Sequence, residues 1–203
     1  MLDWLKTIFG AREMEDFHTL YTDPPISFAV HFPEIPPPDS DIAPQLLAAR
    51  WASRDVYGED MPPIAADLLK AGYDSPALHR LAEEANIALS PDLEQLLKTV
   101  FNDLSAQYPL TEDEANRILI RQVAREVIAG KQNVWAAANH VSVMLRGRFA
   151  DDPDLALLNG LLNPLNWEDV SNDDLPAMTQ ELAEAFARLG AQTDREKQLA
   201  SSS

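Results

Sequence analysis

Four histidines, 33 acidic residues and one regular row of arginines are the side chains of this 203-residue chain that could do chemistry. His18, His31, His79 and His140 are the candidate bases and metal ligands. No two of them lie four residues apart, so there is no H-E-x-x-H helix presenting two imidazoles to one zinc. His18 and His31 with Asp16 and Asp23 match no common ligand spacing. His140 shares a helix side with Ala136, Val143 and Met144, the setting of a half-buried structural imidazole. His79 stands beside Arg80 on a capped helix and reads as exposed.

The acidic clusters invite a test against cation binding. Asp151-Asp152-Pro153-Asp154, and Glu168-Asp169 with Asp173-Asp174, lack the D-x-D-x-D-G order and distal glutamate of a calcium loop. Each lies where a helix begins, and there negative side chains complement the helix dipole without any metal. Nucleophile elbows, phosphate-binding P-loops and dinucleotide-binding glycine patterns are missing. A glycosidase-type carboxylate pair has no fixed spacing, and among 33 acids the sequence singles out no such pair. With no cysteine, thiolate metal sites, disulfides and a thiol nucleophile are excluded. No catalytic residue, metal ligand or cofactor is assigned, and the chain is not expected to be an enzyme.

The arginines are more specific. Arg117, Arg121 and Arg125 recur every four residues and therefore stack in one row on a helix. They lie in the one stretch that is not acidic. Residues 109–150 carry six basic and four acidic groups, against three and eleven in 151–203. Arg146 and Arg148 follow on the next helix's end. One reading is internal, with the row bridging to the acids of 151–174 and holding the last helices. The other is a binding surface for a carboxylate- or phosphate-rich partner, using the planar fork of guanidinium. On that second reading these three are the candidate binding residues.

The element that must position the row is a helix over Thr111–Gly130. Thr111 and Glu114 have the spacing of a capping box, and Glu112 and Asp113 add charge at the positive end of the dipole. Gly130 suits the left-handed stop. Ala115, Leu119, Ile120, Val123, Ala124 and Val127 form an apolar arc wide enough for more than one neighbour.

Helical spacing runs through most of the remaining chain. It predicts helices over 44–57 and 63–71, the latter closed by Gly72, and one opened by Asp74-Ser75-Pro76. Further helices are predicted over 92–106 (opened by Ser90-Pro91), 133–145, 152–162 and 175–189, the last stopped by Gly190. Residues 2–9 suggest a short helix docked on the protein's own core. Residues 22–44 hold seven prolines, which block helix and central strand and leave an extended arm. Its P-x-x-P at Pro33 and Pro36 is flanked by acids, so it reads as a spacer. The fold class expected is all-α, an irregular multi-helix bundle or orthogonal array with an N-terminal Pro-rich extended arm. Three segments are expected: 1–43 as short helix and arm, 44–190 as a single helical domain, and 191–203 as a disordered tail.

The net charge of −17 excludes function classes as well. Nucleic acid and anionic membranes would be repelled by such a surface, since both are bound through Lys and Arg. A basic protein would be attracted and its association accelerated. The N-terminal apolar run contains Asp3 and Lys6, unlike a signal peptide, and no run reaches about 18 apolar residues. The chain therefore reads as cytoplasmic.

L-A-A-R-W-A at 47–52, A-A-D-L-L-K-A-G-Y-D-S-P-A-L-H-R-L-A at 65–82 and V-A-R-E-V-I-A-G at 123–130 resemble segments of small all-helical bacterial proteins of unassigned function. Some of those are suspected of belonging to toxin–immunity or conflict systems. The resemblance covers about half the chain and lends no catalytic residues. It implies an immunity- or antitoxin-type inhibitor of a basic partner. The alternative is a helical scaffold or adaptor whose Pro-rich arm wraps another subunit or a dimer mate, with an enzyme of unrecognised site as a third possibility.

Overall fold

Short apolar repeats, each closed by a turn, build this chain as a succession of helices. The structure is a computed structural model, and it describes residues 35, 38, 42–83, 91–145, 148–163 and 174–200, with side chains through 191. Among the described residues there are eight α-helices and no strand. They are α1 (Ile42–Ala52), α2 (Met61–Lys70), α3 (Pro76–Glu83) and α4 (Leu93–Asp103), then α5 (Glu112–Ile128), α6 (Val134–Leu145), α7 (Pro153–Leu161) and α8 (Leu175–Ala200). The all-α class expected from the spacing is the class observed. The 2–9 helix, most of the Pro-rich arm, Ser90, Arg146 and the Glu168–Asp173 acids lie outside the described residues, as do His18 and His31.

Four of these helices end in the same way. In each, one residue turns left-handed; its own N–H reaches back three residues and the N–H of the next residue reaches back five, which closes the motif. After α2 the turning residue is Gly72, with Tyr73 N–H donating to Leu68 O at 3.1 Å and Gly72 N–H to Leu69 O at 3.0 Å. After α5 it is Gly130, with Lys131 N–H donating to Glu126 O at 2.8 Å. Both glycines stand where the sequence predicts a stop. After α1 and α4 the same geometry is adopted by Arg54 (φ 61°) and Ser105 (φ 59°). Asp55 N–H donates to Arg50 O and Ala106 N–H to Phe101 O, both at 2.8 Å. These two helices therefore end at Ala52 and Asp103, before the 57 and 106 expected.

The chain divides into two compact units whose boundary falls at Leu119–Ile120, inside α5. The sequence reads 44–190 as a single helical domain. A 17-residue helix with so wide an apolar arc can bury different parts of itself in different cores. In the first unit α2 and α3 pack most extensively, and α4 lies against α3 and α1. Leu47, Met61, Ile64, Leu68, Leu78, Leu81, Leu97 and Phe101 form its centre, with Trp51 and Tyr108 at the margin. In the second unit α8 packs along α7 and α6. Leu145, Leu158, Phe186 and Leu189 are fully buried there. Trp135 Nε1 of α6 donates to Thr179 Oγ1 of α8 at 3.0 Å.

Gly190 is the clearest departure from the sequence reading. It does not stop α8, which continues through Ala200. Gly190 is buried, and a Cβ on it would lie 2.3 Å from Ile128 Cδ1. The residue is small because a neighbour approaches closely. With φ outside the left-handed range, it has no stop to make.

Candidate functional site

The row on α5 is built from its N-terminus. Thr111 Oγ1 accepts from Glu114 N–H at 3.2 Å, and Glu114 Oε2 accepts from Thr111 N–H at 2.8 Å. The capping box is thus formed as its spacing predicts. Those bonds to Thr111 hold the Glu114 carboxyl below the usual carboxylate range. The predicted apolar arc, from Ala115 to Val127, is buried throughout. Asn116 is buried among it, a polar residue on the same face, three and four positions before Leu119 and Ile120.

Arg117, Arg121 and Arg125 occupy three successive turns of this helix, and all three are half-buried. Arg125 Nη1 donates to Gln122 Oε1 at 2.9 Å, and Gln122 Nε2 donates to Glu126 Oε1 at 3.0 Å. The last arginine of the row is thereby laid along its own helix. Arg148 is exposed.

The acids at the start of α7 act as a cap. Asp152 Oδ1 accepts from the N–H groups of Asp154 and Leu155, each at 3.2 Å, with Pro153 at the first helical position. His79 is exposed and pairs with Asp74, Nε2 to Oδ1, at 2.9 Å. His140 is half-buried on α6. Among the described residues no group of three His, Asp or Glu could hold a metal ion.

Two clusters were not singled out by the sequence reading. At the margin of the first unit the Tyr108 hydroxyl donates to Glu94 Oε1, and the Trp51 indole donates to the Tyr108 oxygen. The Phe101 ring lies 4.8 Å from the Tyr108 ring, centroid to centroid. Burial, then the bond to Glu94 and its charge, push the Tyr108 phenol up to about 12. A phenol so held stays protonated at neutral pH. It can donate a hydrogen bond and cannot serve as a base. The same segment is tied to α1, where Gln107 N–H donates to Gln45 Oε1 at 2.8 Å. This cluster is a latch on the α4–α5 connection.

The second is the loop from Ser53 to Asp60, between α1 and α2. Arg50 Nε donates to Asp55 Oδ2 at 2.7 Å, and Tyr57 N–H donates to Asp60 Oδ2 at 2.8 Å. Val56 is buried, and Tyr57, next to it, is 61% exposed. The signal available in the sequence is the polar trio Ser53-Arg54-Asp55, which interrupts the apolar spacing between Trp51 and Val56.

Among the described residues no helix is long and apolar enough to cross a membrane. No family model, curated protein or solved structure matches the chain.

Proposed function

We propose that this chain is a non-enzymatic acidic protein-binding module, an immunity- or antitoxin-type inhibitor that acts in the cytoplasm on a basic partner protein. The observation that carries the reading is the formal net charge of −17 on 203 residues. Such a field raises the encounter rate with a cationic protein and repels polyanions. Inhibition then requires only that the bound module cover the partner's working surface.

The test is capture from host lysate at low and high salt, followed by co-expression of the captured protein with and without this chain. The expected result is a stoichiometric basic protein, released as salt rises, whose effect on growth this chain suppresses. A partner whose binding ignores salt, or whose effect is not suppressed, refutes the proposal. The second reading, a scaffold or homodimer, draws on the seven prolines of 22–44. It predicts that deleting that stretch abolishes an oligomer while helicity is kept.

A further inference from the structure

The loop between α1 and α2 holds an aromatic side chain out to solvent on a braced backbone. The left-handed turn at Arg54 and the ion pair from Arg50 to Asp55 fix its entrance. Val56, 1% exposed, anchors its middle in the core. Reciprocal bonds fix its exit, since Tyr57 N–H donates to Asp60 Oδ2 and Asp60 N–H donates to Tyr57 O at 3.0 Å. Tyr57 is nonetheless the most exposed large hydrophobic side chain among the described residues. An aromatic ring on a held backbone loses little freedom when a partner covers it, because only two side-chain torsions remain to be fixed. Tyrosines in such positions recur among the residues that dominate interfaces.

The surrounding charge states what the ring would meet. The loop carries one cation, the exposed Arg54, against three acids, of which Asp55 and Asp60 each give one carboxylate oxygen to bracing the loop. Glu59 is exposed and has no ion-pair partner among the described residues. An exposed π face and an exposed, uncommitted carboxylate two residues apart in one braced loop are chemistry for a cation. The acids at the start of α5 and α7 differ on both counts. Glu114 and Asp152 are spent on capping, and no exposed aromatic residue stands in either first turn.

We propose that Tyr57 and Glu59 are the contact point for an arginine or lysine side chain of a basic protein partner, the ring stacking on the cation while Glu59 pairs with it. The inference rests on the reading of the chain as an acidic binding module and assigns that module its anchor.

The test titrates the 15N-labelled full chain with an amidated arginine hexapeptide at low salt and follows the backbone amides. The largest shifts are expected between Arg54 and Asp60. Tyr57→Ala weakens binding about two- to fivefold, the range for an exposed cation–π contact. Tyr57→Phe leaves it unchanged, because the ring face and not the hydroxyl makes the contact. Glu59→Gln weakens it, and far-UV dichroism of all three variants matches the parent, since both side chains are exposed. Shifts of equal size at 112–114 and 151–154, or an unchanged affinity in Tyr57→Ala, overturn the anchor and leave the acidic module standing. No shift at any amide overturns both.

Discussion

Replacing Gly190 by alanine, alone and together with Ile128→Ala, separates two roles that a glycine near a helix end can have. In the structure Gly190 is an interior residue of α8, so alanine gains about 1 kcal/mol of helix propensity. Against that gain stands the new Cβ, 2.3 Å from Ile128 Cδ1. That atom is the far end of a side chain already 46% exposed, so Ile128 yields by rotating and not by moving backbone. A displaced rotamer costs about 0.5–1.5 kcal/mol. The two effects nearly cancel, and Gly190→Ala in the parent should change stability by less than about 0.5 kcal/mol. In the Ile128→Ala background the obstacle is gone, and the same substitution should stabilise by about 1 kcal/mol, roughly 2–4 °C in Tm for a chain of this size. The coupling in this double-mutant cycle is therefore about 1 kcal/mol, well above the additivity error of independent sites. Urea unfolding followed by far-UV dichroism measures it. If Gly190 were a left-handed stop, alanine would destabilise by about 1–2 kcal/mol equally in both backgrounds. That result would refute the placement of Gly190 inside the helix and its contact with Ile128.

Three further outcomes follow from the helix ends and the tyrosine latch. Ser105→Gly should stabilise the first unit by about 0.5–1 kcal/mol in urea unfolding, because Ser105 sits at φ 59° and glycine reaches that region without a Cβ penalty. Thr111→Ala should cost about 1 kcal/mol by removing the cap of α5. The Glu114 carboxyl is lowered in the folded chain, so its contribution is present above its unfolded value and is lost as pH falls through the folded one. Glu114→Gln should flatten that acid limb of an unfolding-midpoint profile. Tyr108 titrates the other way: its phenol is raised to about 12, so its contribution is complete below pH about 10 and is lost as pH rises from there to about 12. Tyr108→Phe should remove that alkaline loss and cost about 1 kcal/mol at neutral pH, the net worth of an ordinary hydrogen bond at a half-buried site.

What the sequence made legible and what it hid divide along a physical line. Features written in a few adjacent residues could be read. The Thr111–Glu114 box, the Asp152-Pro153 start, Gly72 and Gly130 all act within one turn of the chain, and each stands where the spacing puts it. The ends of α1 and α4 were misplaced for a related reason. Arg54 and Ser105 adopt the glycine-like turn without being glycine, so the backbone motif is present and its usual sign is not. Gly190 shows the converse, the sign without the motif. Its cause is Ile128, 62 positions away in the chain, and only tertiary structure brings that side chain to it. The division of α5 between two units is hidden likewise, since an apolar arc records how much surface is buried and not against what.

The candidate site obeys the same rule. The arginine row was visible because a period of four is local, but its half-burial and the Arg125–Gln122 bond depend on how the helix is covered. Tyr57 was invisible as an anchor because its exposure is set by three constraints that converge from different directions. Val56 goes inward, Arg50 ties Asp55, and Asp60 takes the Tyr57 N–H. Each is ordinary in sequence, and together they leave the ring no route back to the core. A binding residue of this kind is recognised by what its neighbours have already committed. On that ground Glu59, exposed and uncommitted two residues from an uncovered ring, is a stronger pointer to a cationic partner than Glu114 and Asp152, whose carboxylates cap their own helices.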